Sequence, residues 1–140
     1  MRPGIDLTRT FSAAPSRIFA AWTDGALLAR WFGLPDATVA AECAARVGGA
    51  WWLTMEGANG ATRFSGEYVA VDDPSHLAYT LRVEGAPGTE TCTVDIAPHG
   101  DGCSMRFTQD GGNLTVEQYE QASAGYAVFL ERLDALTRAT

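Results

Sequence analysis

The stretch VEQYEQASAGYAVFLERLDAL, residues 116–136, decides the fold. Val116, Tyr119, Ala122, Tyr126, Phe129, Leu130, Leu133 and Leu136 recur at helical spacing and form one apolar stripe, while Glu117, Glu120, Gln121, Glu131, Arg132 and Asp134 take the other face. Asn113 or Thr115 can cap this helix, since either side-chain oxygen can accept a free amide N–H of the first turn. A long helix with one apolar stripe needs a concave apolar surface to cover it.

The residues upstream supply that surface. Segments 38–46, 50–56, 62–71, 76–83, 90–97 and 103–109 read as strands. Turns at Gly48-Gly49, at Asp72-Asp73-Pro74, over a Gly/Pro loop at 85–88 and at His99-Gly100-Asp101-Gly102 punctuate them. Short turns between successive strands predict an antiparallel meander. Ahead of it, residues 5–11 alternate as a half-buried strand, with Arg9 breaking the pattern. Pro15 then opens a short helix over 16–22 that buries Ile18, Phe19 and Trp22. A second short helix carries Leu27, Leu28, Trp31 and Phe32 and stops at Gly33 and Pro35. The order predicts one α+β domain over residues 1–140: a curved antiparallel sheet gripping the C-terminal helix, with two short helices after the first strand. Bulky aromatics on such a sheet leave a cavity between sheet and helix, and function is expected there.

Composition narrows the possibilities. At 140 residues and 46% hydrophobic content, the chain can bury one core. Its net charge of −7 opposes phosphate backbones, so no nucleic-acid partner is expected. No apolar run is long enough to span a bilayer and the N-terminus lacks a signal-like core; no membrane insertion and a cytoplasmic location are expected. All ten basic residues are arginine, which excludes Schiff-base chemistry on a lysine. Cys43, Cys92 and Cys103 lack metal-ligand spacing, and His76 and His99 sit beside prolines in turn-like settings. No metal, cofactor or disulfide is expected. A turn near Gly100 sets Cys92 opposite about Gln109, away from Cys103.

Several segments together carry a resemblance: Phe11, Pro15 and Phe19; Ala21-Trp22-Thr23-Asp24; Leu28 and Trp31-Phe32-Gly33; Arg46-Val47-Gly48-Gly49 with Trp51; Gly66-Glu67-Tyr68; Leu77-Ala78-Tyr79-Thr80; and Gly125-Tyr126 with Leu130 and Leu133. Over residues 7–137 the chain resembles the branch of the START-like, helix-grip superfamily named for the activator of the 90-kDa heat-shock protein ATPase. The resemblance implies a hydrophobic ligand cavity and names no ligand. Ala44 stands where the family often has Asp before its Arg-x-Gly-Gly turn, Gln109 where it often has His, and Tyr126 where Trp is usual. Neither Ala nor Gln exchanges a proton near neutral pH, which weakens acid–base catalysis.

Strand parity points Trp51, Leu53 and Met55, Tyr79 and Leu81, Cys92 and Val94, and Phe107 and Gln109 into the cavity; helix parity adds Tyr119, Tyr126 and Phe129. Trp31 and Phe32 either form a lid at the open end of the grip or merely cork the core. Trp52 points outward, where it marks a partner surface, such as a homodimer face, or is covered by neighbouring strands. Glu56, Glu67, Arg82, Asp95 and Arg106 fall on the outer parity, so no inward carboxylate is expected. The residues favour binding of a small hydrophobic molecule, aromatic or lipid-like and oriented by tyrosines, over catalysis. The alternatives are a cyclase- or hydratase-like enzyme using the same cavity, and a co-chaperone-like interaction domain.

Overall fold

Helix α3, Val116–Arg138, lies in the grip of a seven-stranded sheet, and its N-terminal boundary has a local cause. The computed structural model describes residues 3–33, 36–58, 60–86, 88–111 and 113–138. Thr115 caps the helix: its Oγ1 accepts the Gln118 N–H while Gln118 Oε1 accepts the Thr115 N–H, a reciprocal pair that satisfies two donors at once. Of the two cap candidates Thr115 serves, and Asn113 is engaged elsewhere. Val116, expected on the apolar stripe, is 76% exposed, because it occupies the first helical position, one turn before Tyr119 meets the sheet. Tyr119 lies against Gly4, where an added Cβ would come within 2.6 Å of its ring.

The strands are β1 (Pro3–Phe11), β2 (Thr38–Cys43), β3 (Ala50–Gly57), β4 (Gly60–Asp72), β5 (His76–Val83), β6 (Glu90–His99) and β7 (Gly102–Asp110). They run antiparallel in the order β1-β7-β6-β5-β4-β3-β2, so the meander is sequential and β1 closes beside β7. Between β1 and β2 lie α1 (Pro15–Thr23) and α2 (Gly25–Trp31). Asp24 separates them by accepting the Ala26 and Leu27 N–H groups as the N-cap of α2. Gly33 ends α2 as expected, with φ of +121°, whereas Pro35 lies outside the described residues. Cys92 stands opposite Gln109 in the β6–β7 register, as the turn position predicts.

Two irregularities shape the sheet. Between Tyr68 and Ala70 the β4–β5 register shifts: Tyr68 faces inward, Val69 is 53% exposed, and Val71 regains the inner face opposite Leu77. The ladder also parts at Gly66-Glu67: Thr80 O accepts Trp51 Nε1 at 3.0 Å, and Thr80 Oγ1 accepts the Glu67 N–H at 2.9 Å. Only glycine fits at position 66, since a Cβ there would lie 1.8 Å from Thr80 O. Arg132, expected on the solvated face of α3, instead reaches α2 and donates to the carbonyls of Arg30 (2.9 Å) and Gly33. It borders the stripe beside Phe129 and Leu133, and its fork satisfies carbonyls left free at a helix C-terminus.

Candidate functional site

The two short helices deliver three aromatic rings to the inside of the grip. Trp22 of α1 stacks on Phe107 of β7 with centroids 5.6 Å apart and meets Trp31 edge-on at 4.7 Å. Such ring pairs add about 0.5–1.5 kcal/mol beyond area burial. Their indoles stay satisfied, Trp22 Nε1 on Met105 Sδ and Trp31 Nε1 on Ala21 O. Trp31 is fully buried and fills the space between the helices, so it corks the core. Phe32 turns the other way, onto Phe129 (4.9 Å), Tyr126 (5.5 Å) and Phe64 (5.9 Å), and roofs a cavity.

That cavity measures about 20 Å³, room for about one water molecule, and its walls include Trp22, Leu28, Phe32, Trp51, Leu53, Tyr68, Tyr79 and Leu81. Five of the residues expected to line it meet there: Phe32, Trp51, Leu53, Tyr79 and Leu81. Three others escaped the sequence reading. Trp22 and Leu28 read as ordinary helix core, and β4, which carries Tyr68, was given no inward face. Cys92, Val94 and Phe107 are wholly buried behind this wall. Tyr126 packs on Phe107 at 4.5 Å and on Phe129 at 5.9 Å, so α3 presents both rings to the same aromatic cluster. Met55 is only half buried, near Gly33 at the edge of the core.

Gln109 lies at a second cavity of about 40 Å³, bounded by Leu81, Val83, Ala86, Gly88, Glu90, Gln109, Asn113 and Leu114, and Tyr119 bonds to its wall. Here the expectation of no inward carboxylate fails: Glu90 is 6% exposed. Its Oε1 accepts Gln109 Nε2 at 2.6 Å, and its Oε2 accepts Asn113 Nδ2 at 3.1 Å and the Tyr119 hydroxyl. Gln109 Oε1 in turn accepts the Tyr126 hydroxyl at 3.3 Å and the Cys92 thiol at 3.6 Å. The Tyr119 oxygen also accepts the N–H groups of Asn113 and Leu114, which fastens the loop before α3 to the sheet. Glu90 shares the parity of Cys92, Val94 and Ile96, and that was the available signal. It stands at the start of β6, after the Gly/Pro loop, and the inward residues assigned to that strand began only at Cys92.

Burial sets the ionisation of this interior. It pushes the Tyr79 phenol well above its ordinary value, with the neighbouring Cys92 adding to the shift, and does the same to Tyr126 with help from Cys92 and Glu90. The Cys92 thiol is raised by the same loss of solvation. These groups therefore stay protonated near neutral pH, the phenols as hydrogen-bond donors and the thiol as a poor nucleophile. Among the described residues no three His, Cys, Asp or Glu side chains converge as metal ligands.

The outer face is charged. Glu56, Glu67, Arg82, Asp95 and Arg106 are exposed. Arg106 makes a bidentate pair with Asp6 at 2.7 and 2.9 Å, and His76 meets its cross-strand partner Asp95 at 2.6 Å. Trp52 is covered from its own sheet, with the Arg63 guanidinium 5.0 Å over its ring.

A curved antiparallel sheet closed on a C-terminal helix around an aromatic cavity defines a START-like, helix-grip domain. The chain belongs to the family described as Activator of Hsp90 ATPase homolog 1-like protein, whose model matches residues 12–138. A crystal structure of a Chromobacterium violaceum protein is 28% identical with a TM-score of 0.87 and 95% of each chain covered. Solution NMR structures from Staphylococcus epidermidis (21% identity, TM-score 0.84, 99% of this chain and 92% of that one) and Arthrobacter aurescens (24%, 0.83, 96% and 86%) share the fold. No curated protein matches the chain. Among the described residues no helix is long and apolar enough to cross a membrane.

Proposed function

We propose that the chain acts as one cytoplasmic helix-grip domain that binds a small hydrophobic molecule, aromatic or lipid-like, between the sheet and α3. One observation carries this reading: a cavity walled by Trp22, Phe32, Trp51, Tyr68, Tyr79 and aliphatic side chains, with no charged group among them. Apolar burial is the driving force such a wall offers, and the phenols, held protonated, orient by hydrogen bonds without ionising. At about 20 Å³ the cavity holds roughly one water, so entry of a ligand displaces side chains of its walls.

An enzymatic reading needs a group that gains and loses a proton near neutral pH at the apolar cavity. The phenols there are held protonated, and Glu90 lies at the second cavity, beyond Leu81. Binding is accordingly favoured over cyclase- or hydratase-like chemistry. The family's name carries a third reading, an interaction with a chaperone, which retention of a purified 90-kDa heat-shock protein in a pull-down would support. Native mass spectrometry of gently purified protein, beside a denatured control, tests the leading reading. A reproducible mass excess lost on denaturation is the expected result. Bare protein, together with no change in Trp fluorescence across a panel of aromatic and acyl compounds, refutes it.

A further inference from the structure

The cavity around Glu90 has features that anchoring the α3 loop does not require. Glu90 is a buried carboxylate, and among the described residues no arginine or histidine pairs with it. Its three partners all donate to it, on both oxygens, yet none supplies a countercharge, and an unpaired buried charge costs several kcal/mol. A carboxylate offers about four acceptor positions. Three are filled, leaving one on Oε1. Gln109 Nε2 likewise makes one of the two hydrogen bonds it can donate. Both groups line the cavity of about 40 Å³ whose remaining walls include Leu81, Val83 and Leu114. Leu81 is also a wall of the aromatic cavity, so the apolar and the polar compartment share one side chain. A net charge of −7 adds a field that attracts cations to the whole molecule.

From this juxtaposition we infer that the Glu90 cavity is the head-group end of the ligand site and takes an ammonium group whose aromatic or aliphatic body lies across Leu81 in the apolar cavity. The ligand class is then a hydrophobic amine. This rests on the ligand-binding reading above and narrows it. The ammonium donates to the open position on Glu90 Oε1 and supplies the missing countercharge. Charge-assisted hydrogen bonds of this kind are roughly twice as strong as neutral ones.

The test compares 2-phenylethylammonium with its neutral isostere 2-phenylethanol at pH 7, by calorimetry, in the unmodified protein and in Glu90→Gln. The amine is expected to bind the unmodified protein about tenfold tighter than the alcohol. Glu90→Gln should erase that preference, weakening the amine about tenfold more than the alcohol. The NMR signals of the Gln109 and Asn113 side-chain amides should move with the amine and not with the alcohol, a readout that needs no variant. Equal affinities in the unmodified protein overturn the inference and leave hydrophobic binding standing. A preference that survives Glu90→Gln assigns the amine to the general negative field and also overturns it. Failure of both compounds to bind counts against the inference and the parent reading alike.

Discussion

Replacing Leu81 with Ala tests whether two cavities are held apart by one side chain. Leu81 is 7% exposed and belongs to the walls of both cavities, of about 20 and 40 Å³. The substitution removes three buried carbons, about 2.4 kcal/mol at ~0.8 kcal/mol each. The space left open adds about 24 cal/mol per Å³, which brings the expected cost to about 3–4 kcal/mol. For a chain of this length that corresponds to a fall in melting temperature of about 10 °C. Urea unfolding followed by Trp fluorescence and circular dichroism measures it. Removing Leu81 enlarges the aromatic cavity, and apolar voids of about 150 Å³ admit benzene. Benzene at a hundred times its dissociation constant should then restore about 2.7 kcal/mol. A loss below about 1 kcal/mol, or a benzene effect no larger than in the unmodified protein, would refute the picture of Leu81 as a packed partition.

Gly66→Ala should cost at least about 2 kcal/mol in the same urea assay, because its Cβ would meet a backbone oxygen, Thr80 O, rather than a yielding side chain. All four tyrosines, Tyr68, Tyr79, Tyr119 and Tyr126, have phenols raised above their ordinary value, chiefly by burial. A raised folded-state value favours the protonated form, so this stabilisation is complete below about pH 10 and declines as pH rises further. Absorbance near 295 nm should accordingly show little phenolate until the protein unfolds in alkali, and a normal titration at pH 10 in the native state would contradict it. Ellman's reagent at pH 8 should find at most Cys43 reactive in the folded protein. Cys92 and Cys103 are wholly buried with raised thiols, and they should react only after denaturation.

The elements of the fold could be read from the chain because each had a local cause: apolar spacing at 119, 126, 129, 130 and 133, Asp24 between two short helices, and glycines at the tight turns. The β6–β7 register followed from a turn at Gly100 and was right to the residue at Cys92 and Gln109. The interior was less legible where a long-range contact overrides a local rule. Tyr68 keeps the alternation of Phe64 and faces Tyr79, but the register shift after it passes the inner face on to Val71 rather than Ala70. Glu90 looks like a solvated charge until the Asn113–Tyr119 segment folds over it. Arg132 sits one position off the apolar stripe, and its length, which spacing does not encode, lets it reach α2. The assignment of Trp51, Leu53, Tyr79 and Leu81 to a common wall needed only alternation along regular strands.

The Arg132 clamp has a consequence for kinetics. It holds the last carbonyls of α2 from α3, and α2 carries Phe32 directly onto the roof, yet Arg132 itself is no part of the apolar walls described. In the binding mode proposed above, the rate at which a molecule passes Phe32 then depends on a different residue from those that would determine how tightly it is held. For the proposed ligand, Arg132→Ala should quicken exchange in both directions in stopped-flow fluorescence and leave equilibrium affinity nearly unchanged, so residence time would be set apart from the lining.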